Sequence, residues 1–333
     1  MNTSSSPQKP KILVARAIFP EALAKLEESF EVRANQEDRI FTPEELQKEL
    51  SGVVGALVAG SERIDAHALA NAKNLQIVAN ISVGYNNFDV PAITEAGVMA
   101  TNTPDVLTDT TADFGFALLM ATARRITESE HWVRAGKWDK WSIVHNPLGM
   151  DLHHSIIGII GMGRIGQGIA KRALGFGMKV IYHNRSCLSD ADEKACGATY
   201  VSKTELLRTA DHVVLVLPYT VESHHLIGAK EIALMKPTAT LINIARGGIV
   251  DDTALAQALK EKKIFAAGLD VFEGEPSVNP ELLKLGNVVL APHIASATEK
   301  TRRAMIDLAI ENLRAALSGH KPPSLINPEV LGA

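Results

Sequence analysis

The sequence predicts an α/β protein: two doubly wound domains, each a parallel sheet covered by helices on both faces. Three observations lead there. Apolar stretches of strand length alternate with amphipathic stretches of helix length along nearly the whole chain, the order that builds parallel sheets. At 333 residues the chain is long enough for two domains. A glycine-rich turn, Gly161-Met162-Gly163-Arg164-Ile165-Gly166, joins a continuously apolar segment to an amphipathic one near mid-chain.

In the first half the expected strands are 12–15, 30–33, 53–58, 75–81 and 98–102, with helices over 21–29, 43–50, 65–72 and 90–96. A polar stretch, Thr108-Asp109-Thr110-Thr111, should then cap an apolar helix over 112–123, followed by a helix over 124–135 and a long loop to Met150. Alternation resumes with strands at 156–160, 180–183, 199–201, 213–217, 240–244, 266–271 and 288–291. The first two of these, with a helix over 167–176 between them, form a complete β-α-β unit around the glycine turn. A last helix opens on Ser296-Ala297-Thr298-Glu299, a capping-box pattern, and runs to 317. Alternation alone leaves open whether 318–333 stays with the second domain or crosses back to the first.

Composition narrows the function classes. With 46% hydrophobic and 22% charged residues the chain is an ordinary soluble globular protein. Met1 to Pro10 is polar and reads as a loose tail, neither signal peptide nor anchor. No apolar run approaches the roughly 18 residues of a membrane span. A net charge of -4 without a basic stripe argues against nucleic acid as a partner. Cys187 and Cys196 match no metal or redox spacing, which fits a reducing compartment, so the cytoplasm is expected. The pairs His153-His154 and His224-His225 lack partners at metal spacing, are read as surface or packing residues, and no metal is expected.

The glycine turn has the form of a dinucleotide-binding fingerprint. Gly161 would make the tight turn, Gly163 would let a pyrophosphate approach the backbone, and Gly166 would bring the helix close to the strand. Three later strands end in groups able to do chemistry, and ligands of open α/β sheets lie beyond such ends. Arg246, ahead of Gly247 and Gly248, has the planar fork that captures a carboxylate; taken singly it reads as an exposed loop arginine. The segment Gly268-Leu269-Asp270-Val271-Phe272-Glu273-Gly274-Glu275 leads into acids that singly read as solvated. His293, behind Pro292, singly reads as structural. Together they offer a substrate clamp and a proton donor beside a hydride carrier, because a carboxylate fixes the tautomer of a neighbouring imidazole and stabilises its protonated form. A crevice between the two domains is the expected site.

Over nearly its full length the chain resembles the D-isomer-specific 2-hydroxyacid dehydrogenase family. The resemblance rests on Ser82-Val83-Gly84, the fingerprint, Asn243-Ile244-Ala245-Arg246-Gly247, Gly268-Leu269-Asp270-Val271-Phe272 and Pro292-His293-Ile294-Ala295-Ser296-Ala297-Thr298. It implies a flavodoxin-like substrate domain, 1–102 plus 298–333, and a Rossmann cofactor domain, 103–297. It also implies that Arg246 binds the substrate carboxylate and carbonyl, that His293 is the general acid in reduction, and that Glu275 is its partner. Glu275 is chosen over Glu273 because it lies 29 residues after Arg246, the separation the family motif keeps. Asp270 would contact the nicotinamide carboxamide, and the Val83 and Gly84 amides would hold the carboxylate. Thr111, Met162, Arg164, Ile165, Leu217, Pro218, Ile244, Ala245 and Ala295 would line the cofactor.

Formate dehydrogenases of this family carry glutamine where Glu275 stands, which disfavours formate. The nearest likeness within the family is to glyoxylate/hydroxypyruvate and 2-ketogluconate reductases, through Asp151-Leu152-His153-His154 and Gly175-Phe176-Gly177-Met178. Departures fall at Ala295, where glycine is usual, and at Asn86, where aspartate is frequent. Where an NAD site places an acid, about 20 residues past the first glycine, this chain reads His183-Asn184-Arg185-Ser186. With no carboxylate to repel a 2′-phosphate and Arg185 and Ser186 able to bind it, NADP(H) is favoured over NAD(H). The loop carrying Trp138 and Trp141 would lie near the substrate crevice of a homodimer; core packing or a dimer contact is the plainer reading, substrate contact by Trp141 the sharper one. Two other readings remain: a dinucleotide-sensing binding protein of the corepressor type, and 3-phosphoglycerate dehydrogenase, which usually has an acid at the Asn184 position and often an extra regulatory domain.

Overall fold

The computed structural model describes residues 9–332. The expected loose tail, apart from Lys9 and Pro10, lies outside them. The chain divides into two units, one running to Leu107 and resuming at Thr298, the other spanning Thr108–Ala297.

In the first unit β1 (Lys11–Val14), β2 (Glu31–Ala34), β3 (Gly55–Val58), β4 (Ile77–Asn80) and β5 (Met99–Thr101) form a parallel sheet in the order β2-β1-β3-β4-β5. Strand side chains alternate between faces, so both sides are covered. Leu13, Ala56, Val58 and Val78 pack with Leu46, Leu50, Leu69 and Ile93 on one side. Ile12, Val14, Leu57 and Ile77 pack with Leu26, Ile306, Ile310 and Leu313 on the other. The last helix, Glu299–Leu317, thus lies on this first sheet. Gly55 permits that approach: a Cβ there would stand 2.7 Å from Leu313.

The second unit holds β6 (Ile156–Ile160), β7 (Lys179–His183), β8 (Ala198–Tyr200), β9 (His212–Leu215), β10 (Thr240–Asn243), β11 (Ala266–Leu269) and β12 (Val288–Leu290). They form a parallel sheet in the order β12-β11-β10-β9-β6-β7-β8. Strand order reverses between β6 and β9, where an open α/β sheet leaves a crevice at its carboxyl end. The glycine turn leaves β6 at that point. Two parallel-sheet α/β domains, the fold class read from the alternation, are what the chain forms.

Local expectations fail where side-chain hydrogen bonds decide. Thr108–Thr111 is the first turn of helix Thr108–Ala123 and not a cap ahead of it. The capping box at Ser296 does not form: Thr298 is the N-cap, accepting from Thr301 N–H, so the helix starts later than the box requires. The helix after Arg125, itself in the left-handed region at φ 53°, is Ile126–Arg134. Core packing of Trp138 and Trp141 is overturned, since they are 53% and 73% exposed. Among the described residues no helix is long and apolar enough to cross a membrane.

Candidate active site

The glycines of the fingerprint divide into two kinds. A Cβ on Gly161, at φ 102°, would stand 2.5 Å from the Val216 carbonyl oxygen, and one on Gly166 would stand 2.3 Å from that of Gly161. These two are needed so that turn, strand and helix can touch. Around Gly163 a Cβ would meet nothing within 4 Å. That open side borders the N-terminus of helix Arg164–Gly175, whose first amides receive no side-chain cap from Gly163. Together these form the cradle a pyrophosphate needs. Thr111 adds a buried hydroxyl with no hydrogen-bond partner among the described residues, a group a bound dinucleotide could engage.

At the end of β7, Asn184 turns inward and its Oδ1 accepts from Met162 N–H at 2.7 Å, holding the fingerprint turn. Arg185 and Ser186 remain exposed. Ile165 and Leu217 are half-buried and Pro218 is exposed at neighbouring strand and helix ends, whereas Ile244, Ala245 and Ala295 are buried.

Past β10 the chain turns on Asn243, whose Oδ1 accepts from Ala245 N–H at 3.0 Å and whose Nδ2 donates to the Arg246 carbonyl at 3.2 Å. Arg246 leaves this turn half-buried, its Nη1 donating to the Ala245 carbonyl at 2.8 Å, so it is not the exposed loop arginine of the single-residue reading. Burial pushes its guanidinium below the ordinary arginine value, opposed by the negative charge of Glu275. Gly247 lies hard against the next loop, since a Cβ there would fall 1.7 Å from the Phe272 carbonyl oxygen.

Asp270, fully buried past β11, accepts from Ile294 N–H at 2.8 Å and Ala295 N–H at 2.9 Å, while its carbonyl accepts from His293 N–H at 2.8 Å. Burial pushes its carboxyl above the usual range against the pull of those amides and of His293. The segment it grips carries His293 at φ 55°, a left-handed backbone uncommon outside glycine and retained where surroundings enforce it.

His293 donates Nδ1–H to Glu275 Oε2 at 2.8 Å, which leaves Nε2 as the nitrogen for a reacting proton. Glu275 Oε1 accepts from Phe272 N–H at 2.9 Å. Burial raises the Glu275 carboxyl, but the His293 and Phe272 hydrogen bonds and the charges of His293 and Arg246 outweigh it and hold the group below the ordinary glutamate value. Arginine, carboxylate and imidazole are therefore one electrostatic cluster.

Comparison with known proteins establishes the family. Residues 116–295 match the family model for the D-isomer specific 2-hydroxyacid dehydrogenase, NAD binding domain. A glyoxylate reductase of Thermococcus gammatolerans is 48% identical over 326 residues, covering 97% of both chains. One from Pyrococcus furiosus has the same identity and coverage. The chain belongs to the D-isomer specific 2-hydroxyacid dehydrogenase family. Among solved structures, the NADPH-dependent glyoxylate/hydroxypyruvate reductase of Sinorhizobium meliloti in complex with NADP and malonate superposes with a TM-score of 0.85 at 35% identity, covering 96% of this chain and 97% of that one.

In the first unit of this dehydrogenase Val83 and Gly84 follow β4, and their carbonyls are held by Asn102 Nδ2 at 2.8 Å and Asn80 Nδ2 at 3.0 Å. Asn80 also donates to Asn87 Oδ1, and Asn87 donates to the Ala59 and Glu62 carbonyls, so the loop rests on a buried amide network. In the second unit the reading of His224-His225 as partnerless is corrected: His225 Nε2 meets the Glu273 carboxylate at 3.1 Å. His224, His225 and Glu273 bring possible ligand atoms within 4.8 Å of one another. The two rings, however, stack at 3.9 Å with planes 20° apart, so their in-plane lone pairs run side by side rather than toward one ion. No spacing rule reveals these contacts, because the partners come from loops distant in sequence.

Proposed function

We propose that this dehydrogenase reduces a small 2-keto acid of the glyoxylate, hydroxypyruvate or 2-ketogluconate type to the D-2-hydroxy acid, with His293 as proton donor and NADPH as preferred coenzyme. The single observation that carries the reading is the 2.8 Å contact between His293 Nδ1 and Glu275 Oε2, within electrostatic reach of Arg246. When bound, the reduced nicotinamide supplies the hydride. Arg246 pairs with the substrate carboxylate and polarises the carbonyl. His293 gives its Nε2 proton to the carbonyl oxygen, and Glu275 stabilises the imidazolium beforehand. Asp270 holds the His293 segment in register through its two amide contacts.

Preference for NADPH is supported by the missing acid at the end of β7: Asn184 is engaged with Met162, and Arg185 and Ser186 face solvent where a 2′-phosphate would come. The S. meliloti relative, described as NADPH-dependent, points the same way. A homodimer is supported by the apolar arm Trp138, Trp141, Ile143, Val144 and Leu148, all more than half exposed in the single chain. Free thiols at Cys187 and Cys196 fit a cytoplasmic enzyme. Oxidation of NADPH and NADH is to be followed with a panel of 2-keto acids. Turnover with a higher kcat/KM for NADPH is expected; no turnover with any member refutes the reading, and a higher value for NADH refutes the coenzyme assignment.

A further inference from the structure

We infer that His225 is a positioning residue that ties the arginine loop to the Phe272–Glu275 loop and thereby fixes Glu275 against His293. The inference rests on the proton-donor reading of His293. His225 works from both ends. Its backbone N–H donates to the Gly248 carbonyl at 2.7 Å, two residues past Arg246. Its ring Nε2 meets both oxygens of Glu273, at 3.2 and 3.1 Å, two residues before Glu275. Its backbone is in the left-handed region at φ 48°, a conformation a non-glycine residue keeps only where its contacts over-determine it.

The two loops it joins interlock through the Phe272 peptide. The carbonyl of the Phe272–Glu273 peptide lies against Gly247, where no Cβ could fit, and in the preceding peptide the Phe272 N–H donates to Glu275 Oε1. The Glu273 N–H is anchored from below by Asp252 Oδ2 at 3.0 Å, on a carboxylate that is almost fully buried. With Asp252 holding the Glu273 backbone and His225 its side chain, the Phe272 peptide has little room to rotate. Glu275 inherits that rigidity. On the far side Tyr219 Oη meets His224 Nδ1 at 3.0 Å, and Gly248 packs against both rings. The charged groups facing His225 are Glu273, Asp251 at 4.0 Å, Asp252 and the neighbouring His224; those facing the Glu275–His293 pair are Arg246 and Asp270.

The pH dependence of kcat/KM separates positioning from plain electrostatics. Loss of the Glu273 charge would by itself move the alkaline limb toward acid, because a carboxylate favours a protonated imidazole; any positive charge lost with the His225 ring would by itself move it toward alkali. Positioning predicts that His225→Ala and Glu273→Ala both move the limb toward acid, by about half to one pH unit, with kcat down roughly tenfold. The double variant should go no further than either single one. NADPH affinity should stay within about twofold, since neither side chain belongs to the fingerprint turn, and His225→Gln, which keeps a donor, should restore part of kcat. An alkaline shift in His225→Ala, an unchanged profile, or additive effects in the double variant would overturn the inference. Should His225→Ala not fold, the half-exposed Glu273→Ala and Glu273→Lys decide it: equal shifts support positioning, a shift that grows with the charge change refutes it. His293→Ala tests the underlying reading separately: if it stays active that reading fails, and if it is inactive while His225→Ala matches the parent, only the positioning role fails.

Discussion

Replacing Glu275 with glutamine is the most direct test of how the cluster works. The change keeps shape and removes one charge next to a histidine whose Nδ1 is 2.8 Å from the carboxylate. Unit charges about 4 Å apart interact by about 4 kcal/mol at an effective dielectric of about 20. Here the two side chains are 46% and 32% exposed, so solvent screening reduces that figure. About 1–2 kcal/mol remains for the pair. The sign follows from which form the carboxylate favours: without it the imidazolium releases its proton more easily, so the alkaline limb of kcat/KM moves toward acid. There is a second loss. Glutamine offers one carbonyl oxygen where both His293 Nδ1–H and Phe272 N–H now find acceptors, so one donor would face an NH2 group. Glyoxylate reduction at saturating NADPH, measured from about pH 5 to 9, should show the limb displaced toward acid and kcat/KM at neutral pH reduced at least about tenfold. A profile superimposable on that of the parent would refute the coupling of Glu275 to the proton donor.

The two kinds of fingerprint glycine should separate in a stability and binding assay. Gly163→Ala, adding a methyl into open space, should melt within a degree or two of the parent yet bind NADPH at least about tenfold more weakly, whereas Gly161→Ala, at φ 102° and 2.5 Å from the Val216 oxygen, should lose more than about 1 kcal/mol of stability; calorimetry and coenzyme titration read both. Arg185→Ala should raise KM for NADPH about tenfold and leave that for NADH unchanged, and a parallel rise for both would count against a 2′-phosphate contact. Asp211 accepts from Ile156 N–H at 2.9 Å at the start of β6 and pairs with Lys236 at 2.8 Å. Burial raises its carboxyl, but Lys236 and the Ile156 amide outweigh it and bring it below 3.8. A depressed acid contributes stability above its unfolded value and loses it as pH falls through the folded one, so Asp211→Asn should be about 1–2 kcal/mol less stable at neutral pH and converge with the parent as pH falls below the folded value; denaturant midpoints at several pH values decide it.

The fold is legible because parallel strands covered on both faces must be apolar throughout. Ile156–Ile160 reads as a strand for that reason, and its Gly158 faces Leu206 where a Cβ would fall at 2.6 Å. Strand ends are legible as candidate sites by the same logic, since β10 and β12 deliver Arg246 and His293 where the apolar run stops, and the 29-residue separation from Arg246 that the family resemblance implies points to Glu275. What could not be read is everything that depends on loops meeting. Glu273 and Glu275 are chemically alike and two residues apart, yet one turns to His225 and the other to His293. The choice is made by the Phe272 peptide and by Asp252, a partner 21 residues upstream of Glu273. Likewise Ser296 and Thr298 are both acceptable caps, and only the path of the chain out of the Asp270-held segment decides that Thr298 serves. Hydrophobic period and backbone chemistry are local and survive in one dimension, whereas a polar contact between loops has no period. In this dehydrogenase the groups proposed to do the chemistry stand at strand ends, and those proposed to hold them stand where sequence spacing is silent.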